Sequence, residues 1–225
     1  MPLQGPDKRA LLTGGTGKLG VALADGLREH GWRVVAAGSA DADLRHADEA
    51  RRLVARAVDE LGGLDLLVNG AGAGWRVKPL LEVDEQDWDT AFGATTKGTF
   101  FVSQAAAPHL RESQGLIVNI EDVAAELAWT NLAAHSAAKA AQARLTEIFA
   151  RALAPDVRVC GIAPGPVAVD PADAPGRAAR TLLGRVGDPH DVLQALLYLI
   201  DASYVTGTTI TVDGGRRLRT AAPES

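Results

Sequence analysis

The sequence predicts an α/β fold, a single-domain doubly wound parallel sheet with helices on both faces. Three observations predict it. Short apolar runs alternate with amphipathic stretches of helical period along the whole chain. The run at residues 64–69 is apolar almost without interruption, as a strand covered on both sides must be. Residues 10–20 read as an apolar run, a glycine cluster and the start of a helical pattern.

Taken in order, residues 10–13 (Ala-Leu-Leu-Thr) form the first strand and residues 19–30 the first helix, which Gly31 stops. Trp32–Ala37 is the second strand. Residues 48–61 form a helix, because Ala50, Leu53, Val54, Ala57, Val58 and Leu61 recur on one face. Gly62 and Gly63 end it, and residues 64–69 follow as a strand. Residues 70–83 are assigned to a loop. Residues 87–110 form one long helix, or two joined near Gly93 and Gly98. Leu116–Ile120 is a strand, residues 132–153 an Ala-rich helix, and residues 157–162 a strand that runs into a proline-rich turn. Asp188 and Pro189 open a helix to Ile200, since proline is favoured just inside a helix start. Residues 208–212 are the last strand. Only ten residues, Gly38 to Ala47, join the second strand to the next helix. A parallel crossover needs about a dozen residues or more. One crossover in the third-strand region is therefore shortened, and six parallel strands are expected, with Trp32–Ala37 at or near an edge.

The chain has 225 residues, a normal length for one α/β domain, and no linker or repeat divides it, so residues 1–225 are read as a single domain. A net charge of −5 gives no footprint for nucleic acid or an anionic membrane. Cys160 is the only cysteine, which excludes an internal disulfide and a cysteine metal cluster. No group has metal-ligand spacing, and no apolar run reaches the length of a membrane span. No secretory pattern precedes the first strand, so a cytoplasmic enzyme or binding protein is expected. The Gly-x-Ser-x-Gly pattern of serine hydrolases is absent.

The glycine cluster Thr13-Gly14-Gly15-Thr16-Gly17-Lys18-Leu19-Gly20 suits a dinucleotide. Its glycines allow a tight turn and close approach to a pyrophosphate, and the following helix offers free N–H groups. Further motifs follow in one order: Asp43-Leu44, Asn69-Gly70-Ala71-Gly72, Asp122, the pair His135 and Lys139, Ala163-Pro164-Gly165-Pro166-Val167, and Val212-Asp213-Gly214-Gly215. Together they resemble the short-chain dehydrogenase/reductase family, over nearly the whole chain. Within it the chain looks most like the pteridine reductase-like branch, which carries an aspartate where Asp122 stands; Lys18, at a place where ordinary members have glycine, agrees.

The resemblance implies a Rossmann fold that binds a nicotinamide dinucleotide and reduces a C=O or C=N bond in a small cyclic, pterin-like substrate. It places the cofactor on Gly14, Thr16, Lys18, Leu19, Gly20, Ser39, Asp43, Leu44, Asn69, Gly70, Ala71, Lys139, Pro164, Gly165 and Val167. Catalysis falls to His135, Lys139, Asp122 and Thr95, and substrate contact to Trp75, Asp122 and Pro166. The departures are informative. His135 stands where the family has its tyrosine, and Thr95 where it has a helix asparagine. No acid closes the second strand at Ala36-Ala37-Gly38-Ser39, which favours NADP (NADPH) over NAD, with Ser39 and Lys18 as donors to the 2′-phosphate. Asp43 and Leu44 would sit over the adenine. Lys139 lies four residues after His135, on the same helical face. The resemblance also implies a homo-oligomer, a dimer or tetramer, paired through the two long helices. The missing tyrosine leaves two other readings open: a cofactor-binding protein without redox activity, and a cyclase or isomerase built on the same pocket.

Overall fold

The computed structural model describes residues 8–74, 76–168 and 178–219. Six strands form one parallel sheet: β1 (Lys8–Thr13), β2 (Trp32–Ala37), β3 (Leu66–Asn69), β4 (Leu116–Ile120), β5 (Arg158–Pro164) and β6 (Thr209–Val212). Their spatial order is β2-β1-β3-β4-β5-β6, so β2 is an edge strand, as the short connection after it requires. Residues 38–46 contain no helix, and the shortened crossover is real.

Alternation along the strands divides the core in two. Leu11, Leu67, Ile117 and Val159 point to one face, where α2 (Ala47–Leu61), α4 (Gly98–Ser113) and α5 (Ala133–Leu153) cover them. Ala10, Leu12, Val68, Val118 and Ile162 point to the other, under α1 (Lys18–Glu29) and α6 (Pro189–Asp201). Each of these strand residues is 3% exposed or less, so neither face tolerates a charge.

Several sequence boundaries shift. The stretch read as a loop at residues 70–83 contains a short 3-10 turn, Leu80–Glu82. The next helix, α3 (Glu85–Phe92), starts two residues earlier than expected, because Asp84 caps it: its carboxylate accepts from the Asp87 N–H, and Asp87 accepts from the Asp84 N–H. α3 and α4 are joined by a π-turn at Gly93–Lys97, which answers the choice between one helix and two. β5 runs on to Pro164, since the Gly165 N–H still pairs with the Val212 carbonyl. α6 begins as expected, with Asp188 and Asp191 in a capping box around Pro189. No helix among the described residues is long and apolar enough to cross a membrane.

The chain order reverses between β1 and β3. Crossovers before that point run one way across the sheet and those after it run the other. The reversal opens a crevice at the carboxyl ends of the strands, where ligands bind in folds of this kind.

Candidate active site

Two loops meet at the crevice. The turn after β1 and the turn after β3 are pinned together: the Gly70 N–H donates to the Thr13 carbonyl (3.1 Å) and the Ala71 N–H to Thr13 Oγ1 (3.3 Å). Gly14 has φ +70°, and a Cβ there would lie 2.4 Å from the Gly70 carbonyl oxygen. A Cβ on Gly20 would lie 2.1 Å from the Gly14 oxygen. Both glycines are therefore demanded by the turn. No side chain caps α1 at Gly17, which leaves its first N–H groups for a ligand.

Two cavities flank this turn. One of about 570 Å³ is lined by Gly14, Thr16, Ser39, Asp43, Leu44, Arg45, Gly70 and Ala71. It is walled on both sides of the crevice, and Leu44 is buried beside it. Asp43 is held by Arg45 through hydrogen bonds from Nε and Nη2, which lower its carboxyl to about 2. The other cavity, of about 580 Å³, is lined by Lys18, Leu19, Asp122, His135, Pro164, Gly165, Pro166 and Val167, with Trp129, Arg180 and Arg216 further out. A glycine turn between two such spaces fits a dinucleotide, one half on each side.

The second cavity holds a carboxylate–imidazole couple. Asp122 follows β4 and His135 lies in the first turn of α5. His135 Nε2 is 3.2 Å from Asp122 Oδ2, and the imidazole is 11% exposed. The other carboxylate oxygen accepts from the Ala124 N–H at 2.8 Å, which fixes the group. Lys139 lies one turn on and is buried. Its ammonium donates to the Ile120 carbonyl (2.8 Å) and to Gln142 Oε1 (2.9 Å). Burial lowers its pKa to about 8, while Asp122 and Glu121 pull it back up. One of its three N–H groups has no partner among the described residues.

Beneath the site runs a buried chain of polar groups. Asn69 Nδ2 donates to Ser103 Oγ and Asn119 Oδ1, Asn119 Nδ2 donates to Thr146 Oγ1, and Thr146 donates to Glu121. Thr209 donates to the second Glu121 oxygen at 3.0 Å. Glu121 is 4% exposed, and burial raises its pKa. A carboxylate that only accepts is the natural end of a chain of donors.

The structure rearranges several sequence assignments. Asn69, assigned to the cofactor, is 1% exposed and lines neither cavity; its Nδ2 donates to Ser103 and Asn119, while its Oδ1 has no partner among the described residues. Lys18 and Ser39, assigned jointly to one 2′-phosphate, line different cavities. Thr95 is buried in the π-turn and lines neither cavity. Trp75, assigned to the substrate, lies outside the described residues. An acid does follow β2: Asp41, whose carboxylate is turned back onto the Gly38 N–H at 2.8 Å. Sequence reasoning missed Glu121, Gln142, Trp129, Arg180 and Arg216. Only Glu121 carried a signal, a carboxylate abutting a strand that is buried throughout.

Comparison with known proteins decides the family. A family model described as enoyl-(acyl carrier protein) reductase matches residues 34–217. An uncharacterized oxidoreductase of Methylorubrum extorquens is 32% identical, over 93% of this chain and 98% of the relative. The chain belongs to the short-chain dehydrogenase/reductase family. Another member, a 3-oxoacyl-[acyl-carrier-protein] reductase of Staphylococcus aureus, is 32% identical over 92% of this chain and 97% of its own. A solved small-chain dehydrogenase in complex with NADPH is 25% identical, with a TM-score of 0.85 over 95% of this chain and 100% of its own. Membership accounts for the doubly wound parallel sheet.

Proposed function

We propose that this protein is an NADP(H)-dependent reductase that acts on a carbonyl group, with His135 as proton donor. The observation that carries the reading is the Asp122–His135 couple, 3.2 Å apart on the cavity lined by Leu19 and Pro164–Val167. Relatives named as ketoacyl reductases support the reaction type. The NADPH complex of a similar fold supports the cofactor. So does Ser39, which lines the first cavity while Asp41 is turned onto Gly38.

Gly14, Gly20 and the start of α1 would hold the pyrophosphate, Ser39 and Leu44 the adenosine half, and Pro164–Val167 the nicotinamide end. When bound, the nicotinamide supplies a hydride to the carbonyl carbon. The proton must come from the protein. His135 shares its Nε2 side with Asp122, so Nδ1 is the nitrogen left to donate, and donation requires imidazolium, in which both nitrogens carry protons. Asp122 orients the ring. Lys139 lines neither cavity; with one N–H unspent, it would add positive potential near Asp122.

A narrower form of this reading, a C=N or C=O group in a pterin-like ring, rests on Asp122 and Lys18. We also read the protein as a cytoplasmic homo-oligomer paired through α4 and α5; a monomer by light scattering at micromolar concentration overturns the pairing. The reaction is tested by NADPH oxidation against aldehydes, ketones and a dihydropteridine. Normal cofactor binding with no turnover, together with activity gained in His135→Tyr, would identify a binding protein without redox chemistry.

A further inference from the structure

The outer wall of the catalytic cavity carries two guanidinium groups, Arg180 and Arg216. Among the described residues, no carboxylate lies within ion-pair distance of either: the carboxylates nearby are already committed. Glu126 pairs with Arg217 at 3.0 Å. The two oxygens of Asp213 accept from the N–H groups of Gly215 and Arg217, both at 2.8 Å. Asp122 is held by His135 and the Ala124 N–H, and Glu121 lies below under Thr146 and Thr209.

The wall is built to hold these cations in place. Gly214 (φ +59°) and Gly215 (φ +77°) turn the chain sharply after β6 and bring Arg216 back over the cavity. Its guanidinium lies over the Trp129 ring, 5.5 Å from the ring centre, within cation–π range. The segment bearing Arg180 is fastened to the same turn, because the Leu182 and Leu183 N–H groups both donate to the Gly214 carbonyl (2.8 and 3.1 Å). Thr181 Oγ1 donates to the Arg185 carbonyl, and Arg219 Nη1 donates to the Thr181 carbonyl. Two arginines on two segments braced together thus line the same cavity as the Asp122–His135 couple. Val77, Val123, Trp129 and Pro166 line the same cavity.

We infer that the substrate is a carbonyl compound bearing an anionic group, a carboxylate or a phosphate, which Arg216 and Arg180 bind while the flat or apolar body lies along Trp129. This rests on the reductase reading above and names its substrate class. Charge-assisted hydrogen bonds from a planar fork suit both anions, and their loss typically changes affinity by about ten- to a hundred-fold.

The test compares matched substrates: 4-carboxybenzaldehyde, 4-formylphenyl phosphate and the neutral methyl 4-formylbenzoate. The anionic aldehydes should show KM values about ten-fold or more below that of the ester, and Arg216→Gln should abolish that difference while leaving NADPH affinity unchanged. The better of the two anions identifies which group the site reads. Binding of terephthalate to the NADPH complex, followed by tryptophan quenching, is a second readout that needs no turnover. If terephthalate binds and Arg216→Gln or Arg180→Gln weakens it, the anion site stands even where no aldehyde is reduced, and only the reductase reading fails. Equal KM for ester and acid, or a loss of NADPH affinity in Arg216→Gln, overturns the inference; in the second case the arginine serves the cofactor.

Discussion

Asp122 and His135 are thirteen residues apart in sequence and joined side chain to side chain at 3.2 Å. The carboxylate comes off the end of β4 and the imidazole from the opening turn of α5. Neither element alone brings them together; the 3-10 turn Val123–Ala125 and the loop after it fold Asp122 back under the helix.

This contact predicts the effect of neutralising either partner. Asp122→Asn keeps the shape and removes the carboxylate that orients the ring. General acid help is typically worth about a hundred- to ten-thousand-fold. Turnover in Asp122→Asn and His135→Ala should therefore drop by at least about ten-fold, with NADPH affinity nearly unchanged. Steady-state kinetics beside a cofactor titration checks this. An equal loss in both quantities would assign the couple to binding.

Lys139 predicts a pH dependence of stability. Its pKa is lowered from 10.5 to about 8 in the folded protein. Between these values the unfolded chain binds more protons than the folded one, so stability from this group rises with pH. Below about pH 8 the folded state carries the full cost of a buried ammonium, an upper bound of about 3 kcal/mol for a shift of this size. Lys139→Met should remove the rise. Urea unfolding of both proteins at pH 7.5, 9 and 10 measures it, and parallel curves would contradict the burial of that charge.

Gly14 predicts a local failure. Its φ of +70° and the Gly70 oxygen 2.4 Å from a built Cβ leave no room for alanine. Gly14→Ala should cost at least about 1 kcal/mol of stability from the left-handed backbone alone. It should also push apart the two turns that frame the crevice, so NADPH affinity should fall more steeply than the melting temperature suggests. Fluorescence titration and thermal melts separate the two effects.

Ser39 predicts cofactor choice. A carboxylate placed there would face the ribose and repel a 2′-phosphate. Ser39→Asp should reverse the ratio of NADPH to NADH dissociation constants by about ten-fold or more, as one lost charge-assisted contact warrants. A wild-type protein that binds NADH more tightly than NADPH would refute the choice outright.

What the sequence by itself determined was the periodic part. Apolar alternation placed the six strands and both faces of the sheet, since burial of Leu11 or Val68 depends only on the pleat and on which elements are apolar. The short stretch from Gly38 to Ala47 placed β2 at the edge, because a crossover cannot be made from so few residues. Spacing also set His135 and Lys139 on one helical face. What only the tertiary structure decided was direction and partnership. Asn69 sits at the end of a strand like a ligand-facing residue, yet its amide turns inward to Asn119. Lys18 and Ser39 look like neighbours across a turn, yet α1 carries the lysine into the other cavity. Glu121 finds Thr209 across 88 positions, and Arg216 finds Trp129 and the Arg180 segment through a glycine turn. Such pairings depend on how loops at the carboxyl edge fold over one another. Loops carry no period, so their side-chain directions are fixed by long-range packing and hydrogen bonding that one-dimensional order does not contain.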